Sequence, residues 1–177
     1  MKFEQGFIQV YTGNGKGKTT AAFGLAMRAA GRGLKTYFAQ FMKLGDYGEV
    51  LAAERYLSTM LQVEQFGLPG FHHSGGSISE EERLAARKGL QAVKDALSSG
   101  QYNLVVLDEV NTLLWFGIVE LSEILEIIDQ RPRDVELVLT GRYAPQEVLD
   151  RADLVSEMKE IKHYYAAGVM ARDGVER

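Results

Sequence analysis

The stretch "TGNGKGKTT", Thr12 to Thr20, decides the fold class of this chain of 177 residues. It ends in Gly17-Lys18-Thr19, as a phosphate-binding loop does. The strict pattern G-x-x-x-x-G-K-[ST] asks for glycine at position 12 and finds Thr12, with Gly13 one place late. The setting argues for the loop all the same. The β-forming run Phe7–Tyr11 precedes it and the helix-forming run Lys18–Arg32 follows it. Gly13, Gly15 and Gly17 let the backbone curl so that successive N–H groups turn inward as an anion-binding nest. The helix start adds unpaired N–H groups and partial positive charge. Lys18 supplies a point charge for phosphates, and the Thr19 hydroxyl suits a Mg²⁺ ion. Lys16 either faces solvent or adds a second charge beside the phosphates.

Outward from the loop, short β-rich runs alternate with helix-period runs, the rhythm of βαβ units around a mostly parallel sheet. Strands are expected at Phe7–Tyr11, Thr36–Phe41, Gln62–Phe66, Leu104–Leu107 and Glu136–Leu139, with a weaker one at Leu154–Met158. "LVVL" and "ELVLT" are nearly continuous apolar runs, as expected of strands covered on both faces. The fold class is therefore α/β, a P-loop NTPase-like sheet of about five or six strands flanked by helices, in a single domain over residues 1–177. Small residues at Ala21, Ala22, Ala26, Ala29 and Ala30 let the first helix pack close to the sheet, and Gly31 and Gly33 mark its end. Ser79 with Glu82 three places on is a capping-box signature for a helix reaching Ser98. Leu121, Ile124, Leu125 and Ile128 form another helical face, stopped by Arg131-Pro132. Gly67–Ser77, with four glycines, a proline and two serines, is a loop after a strand, where open α/β sheets bind ligands.

Composition narrows the function. A net charge of -4 argues against a domain built to grip nucleic acid. The chain has no cysteine, which excludes disulfides, zinc-thiolate sites and thiol nucleophiles. No apolar run is long enough for a membrane span and no signal peptide is evident, so a cytoplasmic protein is expected.

Three features accompany such a loop. Asp108 and Glu109 end the apolar run Leu104–Leu107, the arrangement of a metal-assisting acid; acidic residues also favour helix starts. Arg142 follows Glu136–Leu139 and emerges at the same sheet edge, within reach of phosphates. Gln40 and Lys43 leave the second strand in a similar position. The histidines offer less. His72 and His73 are adjacent and point apart in a regular backbone, while His163, beside Tyr164 and Tyr165, reads as packing or capping. Trp115-Phe116 suits either the core or an apolar ligand or subunit interface. The residues thus give an ATP- or GTP-binding domain with Mg²⁺ or Mn²⁺, leaving open which bond of the nucleotide breaks.

"TGNGKGKTTAAFGLAMRAAGRG", "QFMK", "VVLDEV", "RP" followed by "LVLTGR", "ADLVSEMKEIKH" and the closing glycines resemble, in order from Gly6 to Gly174, the P-loop ATP:corrinoid adenosyltransferases. The resemblance implies that the Co(I) of a reduced corrinoid attacks C5′ of ATP, the co-substrate, and triphosphate leaves. It implies ATP lying in a reversed sense in the loop, with C5′ facing the cobalt. Carried over, Gly13, Asn14, Gly15, Lys16, Gly17, Lys18 and Thr19 cradle the triphosphate, Lys18 and Thr19 act catalytically, and Arg142 adds a nucleotide contact. Thr19, Glu109 and Asp108 hold the metal. An aromatic Phe-x-Trp pair of the family, which helps displace the lower axial ligand of the corrinoid, corresponds to Phe71 and His73, so histidine stands where tryptophan is expected. Only a few residues precede the first strand, whereas some relatives lay an N-terminal helical extension over the site, so shielding is expected from elsewhere. A homodimer and a separate electron-donating reductase are also implied. The rival reading is a P-loop ATPase in which Glu109 activates water and the products are ADP and phosphate.

Overall fold

In the computed structural model, which describes residues 3–69 and 78–176, six strands join in one sheet. They are β1 (Ile8–Thr12), β2 (Thr36–Phe41), β3 (Leu61–Phe66), β4 (Leu104–Asp108), β5 (Glu136–Thr140) and β6 (Leu154–Glu157). Their order is β3-β2-β4-β5-β1-β6, and every neighbouring pair is parallel. The flanking helices are α1 (Lys18–Ala30), α2 (Gly48–Tyr56), α3 (Glu80–Ser98), α4 (Val110–Trp115), α5 (Leu121–Asp129) and α6 (Gln146–Leu149).

Alternation along each strand divides the core in two. Val10, Ala39, Phe41, Val105, Leu107, Leu137 and Leu139 face one side, with Leu90 and Val93 of α3 and Ile124 and Ile127 of α5. Phe38, Val106 and Val138 face the other, with Ala22, Ala26 and Ala29 of α1 and Ala53 of α2. Both faces are covered, so β2 and β4 are buried at every position; β4 reads as an apolar run up to Asp108, while β2 also buries Thr36 and Gln40. The alanines of α1 carry nothing beyond Cβ, so the helix lies close enough for Phe23 to stack on Phe38 with ring centroids 4.0 Å apart. Gly89 serves α3 in the same way. A Cβ there would meet the Phe66 ring at 2.7 Å and press on Phe41 as well.

The expected strands are all present, with ends moved by a residue. β1 starts at Ile8 and runs on to Thr12, which pairs with Glu157 of β6. All four residues of β6 are exposed at the sheet edge, and its sequence signal is correspondingly weak. Helix α1 stops at Ala30, short of Arg32. Helices α2, α4 and α6 were not anticipated; α4 and α6, with 6 and 4 residues, are too short to carry a period. The Ser79–Glu82 capping box is formed, with Glu82 N–H donating to Ser79 Oγ at 3.2 Å and Ser79 N–H to Glu82 Oε2 at 2.6 Å.

The topology places the chemistry. From β1 the chain passes over β5 and β4 to reach β2, so the loop after β1 opens at a switch point on the carboxyl edge of the sheet. Because β5 lies between β1 and β4, the end of β5 sits between the glycine loop and the Asp108-Glu109 pair.

Candidate functional site

The loop after β1 bends where its glycines allow it. Gly13 and Gly17 adopt φ of 97° and 122°, left-handed values that side chains rarely tolerate. Its back rests on the chain leaving β6. Gly15 N–H donates to the Met158 carbonyl at 2.7 Å, and Met158 N–H donates to the Thr12 carbonyl at 2.8 Å. A side chain at Gly13 or Gly15 would run into the Met158 and Lys159 backbone. Thr12, where the strict pattern has glycine, accepts a hydrogen bond from Ala144 N–H at 3.3 Å through its hydroxyl. The threonine thus ties the loop's entry to the segment beyond β5.

Lys18, buried at the start of α1, folds back so that its ammonium donates to the Gly13 carbonyl at 2.8 Å and the Gly15 carbonyl at 2.9 Å. Burial lowers its pKa below the ordinary lysine value; Glu109 and Asp108 pull it up, while Arg142 and Lys43 push it further down.

Asp108, at the end of β4, is wholly buried and surrounded by donors. Thr19 Oγ1 donates to its two oxygens at 2.9 and 3.1 Å, Thr140 Oγ1 at 2.6 Å, Lys43 Nζ at 2.9 Å and Gln40 Nε2 at 3.5 Å. Thr140, at the end of the intervening β5, also accepts from Glu109 N–H at 2.9 Å, and so ties the two acids to the end of β5. Lys43 Nζ is shared, donating to Thr19 Oγ1 at 2.9 Å as well. Burial opposes the charge on Lys43, but Asp108, with Glu109 and Glu49, outweighs it and raises the pKa.

Glu109 differs from its neighbour. It stands at φ 65° as the residue before α4, accepts from Thr112 Oγ1 at 2.6 Å and faces the cleft. Met42 and Tyr143, with φ of 59° and 58°, occupy the same left-handed region after β2 and β5. Three strained turns on one edge of the sheet are the mark of backbone held for a site rather than for stability.

These parts line one cleft of about 590 Å³. Asn14, Gly15, Lys16, Gly17, Lys18, Thr19, Glu109 and Arg142 border it, as does Lys43, while Gly13 and Asp108 stand behind. Phe71 and His73 lie outside the described residues. Lys16 does not simply face solvent: its ammonium donates to the Val175 carbonyl at 3.2 Å. His163 caps a short 3₁₀ turn, accepting from Tyr165 N–H at 3.1 Å through Nδ1, and also borders the cleft. Sequence reasoning had no signal for the closing segment Gly174–Glu176, which forms part of the wall. The bridging role of Thr140, in the "TGR" run, likewise has no local sequence signal. The Trp115-Phe116 pair divides, with Phe116 packing on the core and Trp115 exposed, its ring tilted by 32° against Tyr143 with centroids 4.3 Å apart.

A glycine nest, a buried lysine and a strand-end acid pair on a parallel sheet define a P-loop nucleotide-binding α/β protein. A KaiC-like protein from Pyrococcus horikoshii has a similar fold, with a TM-score of 0.58 at 16% identity over 90% of this chain and 76% of that one. Residues 4–177 match the family model for the ATP:corrinoid adenosyltransferases BtuR/CobO/CobP. The corrinoid adenosyltransferase of Escherichia coli K12 is 37% identical over 174 residues, 98% of this chain and 86% of the relative. The corrinoid adenosyltransferase CobA of Salmonella typhimurium matches to the same extent, and that of Pseudomonas aeruginosa is 34% identical over 175 residues, 98% of this chain and 84% of the relative. The chain belongs to the ATP:corrinoid adenosyltransferase family. ATP-dependent adenosylation of a corrinoid is therefore its activity, and hydrolysis of ATP to ADP is not favoured.

Proposed function

We propose that the cleft carries out this transfer with the glycine loop as cradle for a leaving triphosphate. The observation that carries the reading is the convergence of Lys18, Thr19, Lys43, Glu109 and Arg142 on one cleft beside the loop. In the reaction the Co(I) electron pair of the reduced corrinoid forms the Co–C5′ bond, the C5′–O bond breaks, and triphosphate departs with the electron pair of that broken bond. No proton has to be removed from the nucleophile, so a general base is not required. That leaves the carboxylates free for a metal. Thr19, Glu109 and Asp108 offer the hydroxyl and carboxylate oxygens that Mg²⁺ or Mn²⁺ prefers, so the donor set fits such an ion. Asp108 also accepts from Thr19, so the carboxylate orients the hydroxyl beside which it would hold the ion. When bound, the metal would neutralise charge on the triphosphate.

Lys18 would leave the Gly13 and Gly15 carbonyls and turn to the phosphates, where a fixed positive charge stabilises charge as it develops. Loop N–H groups from Gly13 to Thr19, with Asn14 and Arg142, would hold the rest of the chain of phosphates. Phe71 and His73 remain the proposed corrinoid contacts. The two cores share one sheet, which supports reading the chain as a single domain. The proposal extends to a homodimer in the cytoplasm served by a separate reductase, on family resemblance and composition alone. Lys18→Ala is the test of the cradle. It should abolish adenosylcorrinoid formation, whereas a protein that only binds nucleotide would lose affinity and nothing else.

A further inference from the structure

Lys43 holds an unusual position among the cations of the cleft. Its ammonium does not point at open space. It lies 2.9 Å from Thr19 Oγ1 and 2.9 Å from Asp108 Oδ2, the hydroxyl and the carboxylate that a P-loop offers to a divalent ion. Those two oxygens are themselves within hydrogen-bond distance, so a cation touching both stands at a point fixed by β4 and the start of α1. Asp108 is completely buried and the Lys43 side chain is only 18% exposed, so the contact is sheltered from solvent. Glu49 and Glu109 add negative charge around the ammonium. The lysine reaches this point because Met42, at φ 59°, turns the chain back over the sheet edge directly after β2.

We propose that Lys43 is the resident cation of the metal site, holding the Thr19–Asp108 seat until nucleotide arrives and yielding it to the divalent ion that comes with the triphosphate. The inference rests on the reading of Thr19 and Asp108 as part of that metal site. Its physical basis is competition. A lysine ammonium and a divalent ion want the same two oxygens, and like charges cannot share them at contact distance. Free metal must displace the ammonium without compensation. Metal arriving with ATP brings phosphate oxygens, to which the displaced ammonium can move. Lys43 on this account is a positioning residue that makes metal uptake depend on nucleotide, with no need for a hinge or lid.

The test is a titration of the nucleotide-free protein with Mn²⁺, followed by electron paramagnetic resonance, for wild type, Lys43→Met and Lys43→Gln. Wild type should bind Mn²⁺ weakly without ATP and much more tightly with it. The two variants should gain affinity for free Mn²⁺ by about tenfold or more, the equivalent of one charge-assisted hydrogen bond no longer to be broken. The gap between free and nucleotide-linked metal binding should narrow accordingly. Circular dichroism reports whether each variant is folded; Lys43→Gln keeps a donor for Asp108 and serves if Lys43→Met does not fold. Folded variants whose affinity for free Mn²⁺ stays at the wild-type value overturn the proposal. The readout involves no corrinoid, so a failure of adenosyl transfer with the metal data as expected counts against the functional reading and not against this one.

Discussion

The buried pair of Asp108 and Lys43 gives the sharpest energetic prediction. Asp108 is wholly buried, whereas Lys43 sits on a flexible stem beside an open cleft. The two single substitutions should therefore differ. Lys43→Met leaves a buried carboxylate with only neutral donors, from Thr19, Thr140 and Gln40, and should destabilise the fold by about 3 kcal/mol. Asp108→Asn keeps the shape and lets Lys43 turn its ammonium to the cleft, so its cost should be about 1–2 kcal/mol. In the double variant neither charge is left stranded, and the total should fall short of the sum by about 1.5–2 kcal/mol. Urea unfolding followed by circular dichroism measures all three, provided the slope with denaturant stays constant across the set. Single effects that add to within about 0.5 kcal/mol would refute the reasoning, because they would mean the 2.9 Å contact carries no coupling.

Other consequences follow from the loop. Gly13→Ala should abolish ATP binding in calorimetry, since φ of 97° disfavours a side chain and the new Cβ would lie 2.8 Å from Met158 N and closer still to its carbonyl oxygen. Thr12→Val removes the acceptor for Ala144 N–H and should lower stability by about 1 kcal/mol, read as a shift in the thermal midpoint. If the same hydroxyl helps set how the triphosphate lies, Thr12→Gly should also slow adenosyl transfer, and full activity in that variant would count against the idea. The lowered pKa of Lys18 has opposite effects on folding and on binding. Its folded value lies below the ordinary 10.5, so the charged form opposes folding, and this penalty is relieved as pH rises through the folded value towards 10.5. Triphosphate needs the charged form, so ATP affinity measured by calorimetry should fall across that same alkaline window, and Lys18→Arg should remove the fall.

Much of this was legible in the sequence, for reasons that particular residues make plain. β4 and β5 lie inside the sheet and are covered on both faces, so "LVVL" and "ELVLT" appear as nearly continuous apolar runs. The P-loop is legible because phosphate binding by backbone requires glycine at fixed spacing, and Gly13 and Gly17 do take left-handed angles. The bridge made by Thr140 was not legible, because it depends on β5 standing between β1 and β4, and strand order is a property of long-range pairing. Lys43 could be placed at the right edge but not in its pocket, since its position depends on the backward turn at Met42. The contribution of Gly174–Glu176 to the cleft wall comes from the far end of the chain folding over the loop, where no local pattern announces it. Thr12 began as an exception to a motif and ends as a structural tie between the loop and the segment beyond β5.

The central claim is that the bond broken is C5′–O, with triphosphate as the leaving group. It is tested most directly by incubating the protein anaerobically with Mg²⁺, ATP and chemically reduced cobalamin, and analysing both products together. The account predicts the absorption spectrum of adenosylcobalamin, with one inorganic triphosphate released for each Co–C bond formed. ADP and orthophosphate, with the cobalamin unalkylated, would contradict it.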